Sequence, residues 1–214
     1  FKMEFIQASK SYYLDRSTYI NLRWIAIIGQ FITINSVKFL LEFEFPYLLS
    51  NIIILFGILS NLYLYHFDIN PQISNKSSFI YLLIDIFQLS ILLYLTGGVL
   101  NPFSIFLIIP SIFSSSNLNI RTNLTLITIT LFIIIFLTFF SYDLPYPMNE
   151  KLSIDENYYY SIPLSLIVAL IFLNYFAITF GKESRLRKEA LDKIQEVIAK
   201  EHELVSLGGQ AAAA

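Results

Sequence analysis

Leu95-Thr96-Gly97-Gly98-Val99-Leu100-Asn101-Pro102-Phe103 is a polar, glycine-rich break between two apolar runs, 78–96 and 102–118. The second of these runs decides the fold. It is short for a bilayer span and carries Pro110 followed by Ser114-Ser115-Ser116, so the sequence allows it either to cross a membrane or to re-enter it. That choice sets the parity of the crossings, and with it the side on which the rest of the chain lies.

Around this break the chain is built from apolar blocks. Of its 214 residues, 56% are hydrophobic and 14% charged, against about 25% charged in a typical soluble domain; the mean hydropathy is +0.63. Spans are predicted at 22–41, 47–65, 78–96, 102–118, 122–140 and 159–180. A helix of about 20 residues, rising about 1.5 Å per residue, covers the hydrocarbon core. The expected fold class is therefore an all-α membrane protein: a six-transmembrane-helix bundle followed by a cytoplasmic coiled-coil helix.

Loop charge argues that 102–118 crosses. With six spans and the N-terminus inside, Lys2, Lys10, Arg16, Arg23, Lys76, Arg121, Lys182, Arg185, Arg187, Lys188, Lys193 and Lys200 fall on the inner side, and Lys38 and Lys151 on the outer. That is 12 against 2 of the 14 basic residues, a strong positive-inside bias. A re-entrant fourth run would put Arg121 and the basic stretch after Gly181 outside. Trp24 and Tyr158-Tyr159-Tyr160 sit where interfacial anchors belong. The 141–158 stretch, with Pro145 and Pro147, reads as a small outer loop. The acceptor-like tripeptides at Asn75 and Asn123 fall on the inner side or in a span, so glycosylation is not expected there.

Several function classes drop out. A formal charge of −2 with no basic, aromatic-interleaved patch gives no reason to expect nucleic acid. The chain has no cysteine, hence no disulfide, thiolate metal site or thiol switch of its own. Two distant histidines, His66 and His202, suggest no metal cluster, and no catalytic residue is predicted. Phe1 at the start and the alanine run at the end read as a fragment cut at both ends.

After Gly181 the chain becomes charged and strongly helix-forming. Leu191, Ile194, Ile198 and Val205 alternate by three and four, with Glu201 in the remaining seam position. That is a two-stranded coiled-coil pattern with one weak place; a lone amphipathic helix on the inner leaflet is the alternative. Leu207-Gly208-Gly209 is expected to break or loosen the coil. The domain reading is a cytoplasmic N-terminal segment 1–21, a sensor domain 22–180, a signalling helix 181–207, and at 208–214 the start of a dimerisation and phosphoacceptor domain.

The opening break supports two readings. As a turn it is complete: Gly97 and Gly98 end one helix, Asn101 caps the next and Pro102 takes its first position. As a site, it offers what a quinone head group needs: hydrogen-bond donors for carbonyls and an apolar or aromatic face. The candidates are backbone at Gly97 and Gly98, where a flat ring approaches closely, the Asn101 amide, Pro102, the Phe103 ring and the Tyr94 hydroxyl. Asp85 and Gln88 lie on one face of the third span, and intramembrane carboxylates face a bundle interior or cavity. They read either as a structural bond to another span, with Gln30 as partner, or as a proton partner for a ligand. His202-Glu203-Leu204 looks like the start of a phosphoacceptor box, but Val205-Ser206-Leu207 follows; His202 reads as a solvated surface residue.

These pieces together resemble one family. The chain is similar to the sensor module of RegB/PrrB-type membrane redox-sensing histidine kinases. That family has a Gly-Gly-x-x-Asn-Pro-Phe heptapeptide between its third and fourth of six spans, where Gly97 to Phe103 falls. Leu92 to Thr96, Asp85 with Gln88, and Asn21 to Gln30 resemble its third span and the entry of its first; Glu201 to Ala214 looks like the approach to its phosphoacceptor box. The resemblance implies ubiquinone sensing at the heptapeptide, a homodimer, and a place in the bacterial inner membrane with both termini cytoplasmic. It also implies control of an ATP- and magnesium-dependent autokinase, outside this chain, that phosphorylates a cytoplasmic response regulator. The alternatives are a transporter or channel subunit, with Asp85 and Gln88 lining a path, and a scaffold using the heptapeptide only as a turn.

Overall fold

The computed structural model describes residues 14–67, 70–146 and 155–213. Polar caps start its helices. Asp15 accepts from the Thr18 amide to open α1 (Arg16–Phe39), Ser74 from Ser77 to open α3 (Asn75–Leu95), and Asn119 from Thr122 to open α5 (Ile120–Phe139). Each cap satisfies an amide that the first helical turn leaves without a partner. Between them come α2 (Tyr47–Phe67), a 3₁₀ turn (Gly98–Leu100), a 3₁₀ segment (Pro102–Ile108) that runs into α4 (Ile109–Asn117), and finally α6 (Glu156–Ala213). A two-residue antiparallel ladder pairs Leu14 with Ile73 and Asp15 with Gln72, tying the start of α1 to the start of α3.

Five helices are long and apolar enough to cross a membrane, and the apolar stretch Pro102–Ser115 is shorter. The whole segment 102–117, with 7 residues of 3₁₀ and 9 of α helix at about 2.0 and about 1.5 Å per residue, reaches about 28 Å. The same residues as pure α helix would reach only about 24 Å against a core of about 30 Å. Extension by 3₁₀ geometry thus answers the shortage of residues. The end points confirm the traverse. At one end Asn101 Nδ2 bonds the Thr96 carbonyl at 2.8 Å, at the C-terminus of α3. At the other, the Asn119 amide donates to Asn75 Oδ1 at 3.2 Å and Asn75 Nδ2 to Thr122 Oγ1 at 2.9 Å, at the N-terminus of α3. The segment therefore runs the whole depth of α3. The protein is an all-α membrane protein.

Two apolar clusters hold the bundle. One, with Leu82, Ile86, Leu107, Ile108, Leu126, Ile134 and Leu170, joins α3, the 3₁₀ segment, α5 and α6. A smaller one, with Ile27, Ile34, Ile54 and Leu92, joins α1, α2 and α3. Large apolar side chains on the outer faces, such as Ile25, Ile32, Leu48, Phe132 and Phe172, stay exposed, as lipid-facing residues do.

Two expectations change here. Arg23 is not an inner-side loop charge: it is 6% exposed within the bundle, so the loop-charge count loses it, while Lys2 and Lys10 lie outside the described residues. The break expected at Leu207-Gly208-Gly209 is also absent, because α6 continues through both glycines to Ala213. Each glycine costs a helix about 1 kcal/mol relative to alanine, which strong formers on both sides offset. Of the 141–158 loop, residues 147–154 lie outside the described residues, as do 1–13 of the N-terminal segment.

Candidate functional site

The outer turn is set by backbone geometry. Gly97 and Gly98 have φ of 105° and 57°, in the left-handed region that disfavours side chains. A Cβ on Gly97 would stand 2.6 Å from Leu144 Cδ1, and one on Gly98 2.6 Å from the Leu137 carbonyl oxygen. The close approach these glycines allow is thus taken by the chain itself, at the end of α5 and the segment after it. A flat ring could use that side of the glycines only by displacing Leu144 or the end of α5.

Asn101 is likewise engaged. Its Oδ1 accepts from the Phe103 amide at 2.9 Å, while Nδ2 donates to the Thr96 carbonyl and the Thr96 hydroxyl, both at 2.8 Å. All three bonds belong to the turn. Pro102 takes the first position of the 3₁₀ segment. Phe103 remains 42% exposed and stacks on Phe106 with centroids 5.9 Å apart, an aromatic face turned out of the bundle. Tyr94 is half-buried; its ring stacks on Phe136 and meets Tyr142 edge-on, and its carbonyl accepts from the Tyr142 amide at 2.9 Å. The turn therefore holds α3, the 3₁₀ segment and the end of α5 together.

A second polar group lies deeper, between α1, α2 and α3. Arg23 Nη2 stands 2.8 Å from Asp85 Oδ1 and donates to Ser60 Oγ at 2.8 Å. The Tyr19 hydroxyl donates to Asp85 Oδ2 at 2.5 Å, and the Arg23 guanidinium lies over the Tyr19 ring, 5.6 Å from its centroid. Asp85 thus pairs with a cation and a phenol and not with Gln30, the partner expected from the sequence. Arg23 Nη1 is buried without a partner. One level higher, Gln88 Nε2 donates to Gln30 Oε1 at 2.8 Å, beside Gly57. Asp85 and Gln88 therefore bond different partners on α1, and neither touches the outer turn.

Tyr19, Arg23 and Ser60 were missed from sequence. A clue was present: Arg23 is the one basic residue in the first half of the 22–41 span, and a carboxylate within a span calls for a cation. A third polar group was missed as well. Asn174 of α6, 2% exposed, bonds Ser111 and Ser115 of α4, and Ser115 reaches Asn123 of α5.

Residues 18–190 match the PilS-like transmembrane domain family, from the first turn of α1 into α6. The chain belongs to that family. The sensor histidine kinase RegB of Cereibacter sphaeroides is 29% identical over 198 residues, covering 92% of this chain and 43% of that protein. The chain thus spans less than half the length of that relative. Among solved structures none matches. In this PilS-like domain the outer turn and both deeper polar groups lie inside the matched region.

Proposed function

We propose that this PilS-like domain is the membrane sensor module of a sensor histidine kinase. It lies in a bacterial inner membrane with both termini in the cytoplasm, works as a homodimer, and controls an autokinase that phosphorylates a response regulator. ATP and magnesium belong to the kinase part, outside this chain. The observation that carries the reading is α6, which begins inside the packed bundle and continues as one helix into the charged stretch after Gly181. Such a helix conveys a change of packing in the membrane directly to whatever follows it. The similarity to RegB over 92% of the chain supports the same reading.

The proposed signal is the redox state of ubiquinone, met at the outer turn. Pro102, Phe103 and Phe106 give an exposed apolar and aromatic face to a molecule arriving from lipid. Tyr94 lies beside the turn. The Asn101 amide has two N–H groups, and both are donated to Thr96. A quinone carbonyl gains one of them only by displacing a Thr96 oxygen, so binding loosens the turn that Gly97 and Gly98 seat on α5. Occupancy shifts the bundle by as much as the ligand prefers the loosened state over the closed one. Gln30, Asp85 and Gln88 serve as packing bonds beneath this site.

Ubiquinone binding to the purified protein in lipid nanodiscs tests the site. Asn101→Ala and Phe103→Ala are each expected to weaken binding about tenfold, the loss of roughly 1.4 kcal/mol, with helicity retained. Unchanged affinity in both variants reduces the motif to a turn. The kinase reading requires a His-Glu-x-x-x-Pro box and an ATP-binding domain in the reading frame past Ala214; a frame without them favours a transporter or channel subunit.

A further inference from the structure

Residues 102–108 form 7 consecutive residues of 3₁₀ helix, about twice the three or four at which such runs usually stop. A long 3₁₀ stretch inside an otherwise α-helical segment marks a hinge or a sequence held under constraint. Changing one residue from 3₁₀ to α shortens the segment by about 0.5 Å and turns everything beyond it by about 20°. The outer end is anchored: Asn101 caps it, and Ser104 Oγ donates to the Val99 carbonyl at 3.1 Å. The inner anchor, Asn119 on Asn75, lies past the extended residues Leu118 and Asn119 that follow α4, so such a change appears between the two anchors as a screw motion of α4.

The far end meets α6 through hydrogen bonds. Asn174 Nδ2 donates to Ser111 Oγ at 3.0 Å, and Ser111 Oγ donates at 2.8 Å to the carbonyl of Ile108, the last 3₁₀ residue. Ser115 Oγ stands 2.5 Å from Asn174 Oδ1, 3.0 Å from Asn123 Oδ1 and 2.9 Å from the Ser111 carbonyl. One hydroxyl proton faces three acceptors. Meanwhile Asn123 Nδ2 and Ser114 Oγ are buried without partners. With the Asn123 amide turned over, Nδ2 donates to Ser115 Oγ and the Ser115 proton goes to Asn174, so the cluster is bonded throughout except at Ser114. A purely apolar contact would let α4 slide past α6, whereas a bonded asparagine follows it.

We propose that residues 102–108 are a screw element, in which exchange between 3₁₀ and α geometry rotates and shifts α4, and that Asn174 couples this motion to α6. Exchange from 3₁₀ to α geometry turns α4 back about its axis and draws Ser115 away from Asn174. The device needs no particular ligand at the turn, so it stands apart from the quinone reading.

The test uses the full chain in nanodiscs. It has no native cysteine, so spin-label pairs can be placed at exposed sites: Ile28→Cys with Ile109→Cys for α4, and Ile28→Cys with Phe176→Cys for α6. Ile105→Ala, on the exposed side of the 3₁₀ segment, favours α geometry. With Asn174 present, it is expected to shift both label distances by several ångström. In Asn174→Leu the α4 distance should still shift while the α6 distance stays put, and in the milder Ser115→Ala, which keeps the bond from Asn174 to Ser111, the α6 shift should shrink. The proposal is overturned if Ile105→Ala moves neither pair, if α4 moves and α6 does not with Asn174 present, or if α6 moves as far without Asn174 and without the Ser115 hydroxyl.

Discussion

Gly98 and Gly29 illustrate how little a residue's type says without its surroundings. Gly29 sits in α1 with nothing within 4 Å of where a Cβ would be, whereas Gly98 has φ of 57° and the Leu137 carbonyl oxygen at 2.6 Å. Gly98→Ala must therefore both adopt a left-handed backbone, at about 1–3 kcal/mol, and push α5 away. It is expected to lower the thermal unfolding temperature sharply in detergent. Gly29→Ala should raise it slightly, by the helix-propensity gain of about 0.5–1 kcal/mol. Arg23 and Asp85 make the second residue-scale case. Each buried charge depends on the other, so Arg23→Leu or Asp85→Leu alone leaves an uncompensated charge worth about 3–5 kcal/mol. The double variant is expected to be more stable than either single one in the same unfolding measurement; equal additive losses would show the pair to be independent. Asp85 was legible because a carboxylate inside a span is conspicuous. Arg23 was not, because an arginine beside Trp24 near a helix entry looks like an interface residue. Only its long side chain, reaching along α1 to the level of Asp85, takes it out of that class.

At the scale of elements, apolar runs located the helices well, since burial against lipid or core requires the same residue types. Helix geometry was less legible. The stretch 102–108 contains no residue that selects 3₁₀ over α, and the choice follows from a need external to it, the distance between the two ends of α3. The Asn101 cap and Gly97-Gly98 stop were readable because each rests on one residue's local chemistry, yet the partners that fill the glycine space come from α5 and could not be. α6 carries the element-scale prediction. Glu183 with Arg187 and Glu196 with Lys200 form i,i+4 pairs on its exposed surface, at 2.5 and 2.7 Å. Leu186, Leu191, Ile194 and Ile198 are exposed. A fusion carrying 182–207 alone is expected to form dimers through that apolar stripe; a strictly monomeric product would leave it a lone amphipathic helix. The neighbouring Lys200 holds the Glu196 carboxyl below its usual range, so its stabilising effect is present at neutral pH and fades as pH falls through the lowered value. Helix content of the fusion, followed by circular dichroism, should decline modestly on acidification, and less so in high salt.

At the scale of the whole molecule, the parity of the crossings fixes everything that α6 can do. The loop-charge asymmetry survives the loss of Arg23, because Arg16, Lys76 and Arg121 open α1, α3 and α5 at one face, and Lys38 closes α1 at the other. The hydrogen bonds at both ends of α3 independently require the segment after Asn101 to traverse the bundle. These two arguments share no assumption, one being electrostatic and the other geometric, and they agree. Single cysteines in the cysteine-free chain test the outcome with a membrane-impermeant maleimide on intact cells. Glu42→Cys and Tyr142→Cys are expected to react from outside, whereas Ile120→Cys and Ser184→Cys react only after the membrane is opened. A re-entrant fourth segment inverts three of the four results: Ile120→Cys and Ser184→Cys become reactive from outside and Tyr142→Cys becomes protected. In that case α6 would leave the bundle away from the cytoplasm, and a cytoplasmic kinase would be out of its reach.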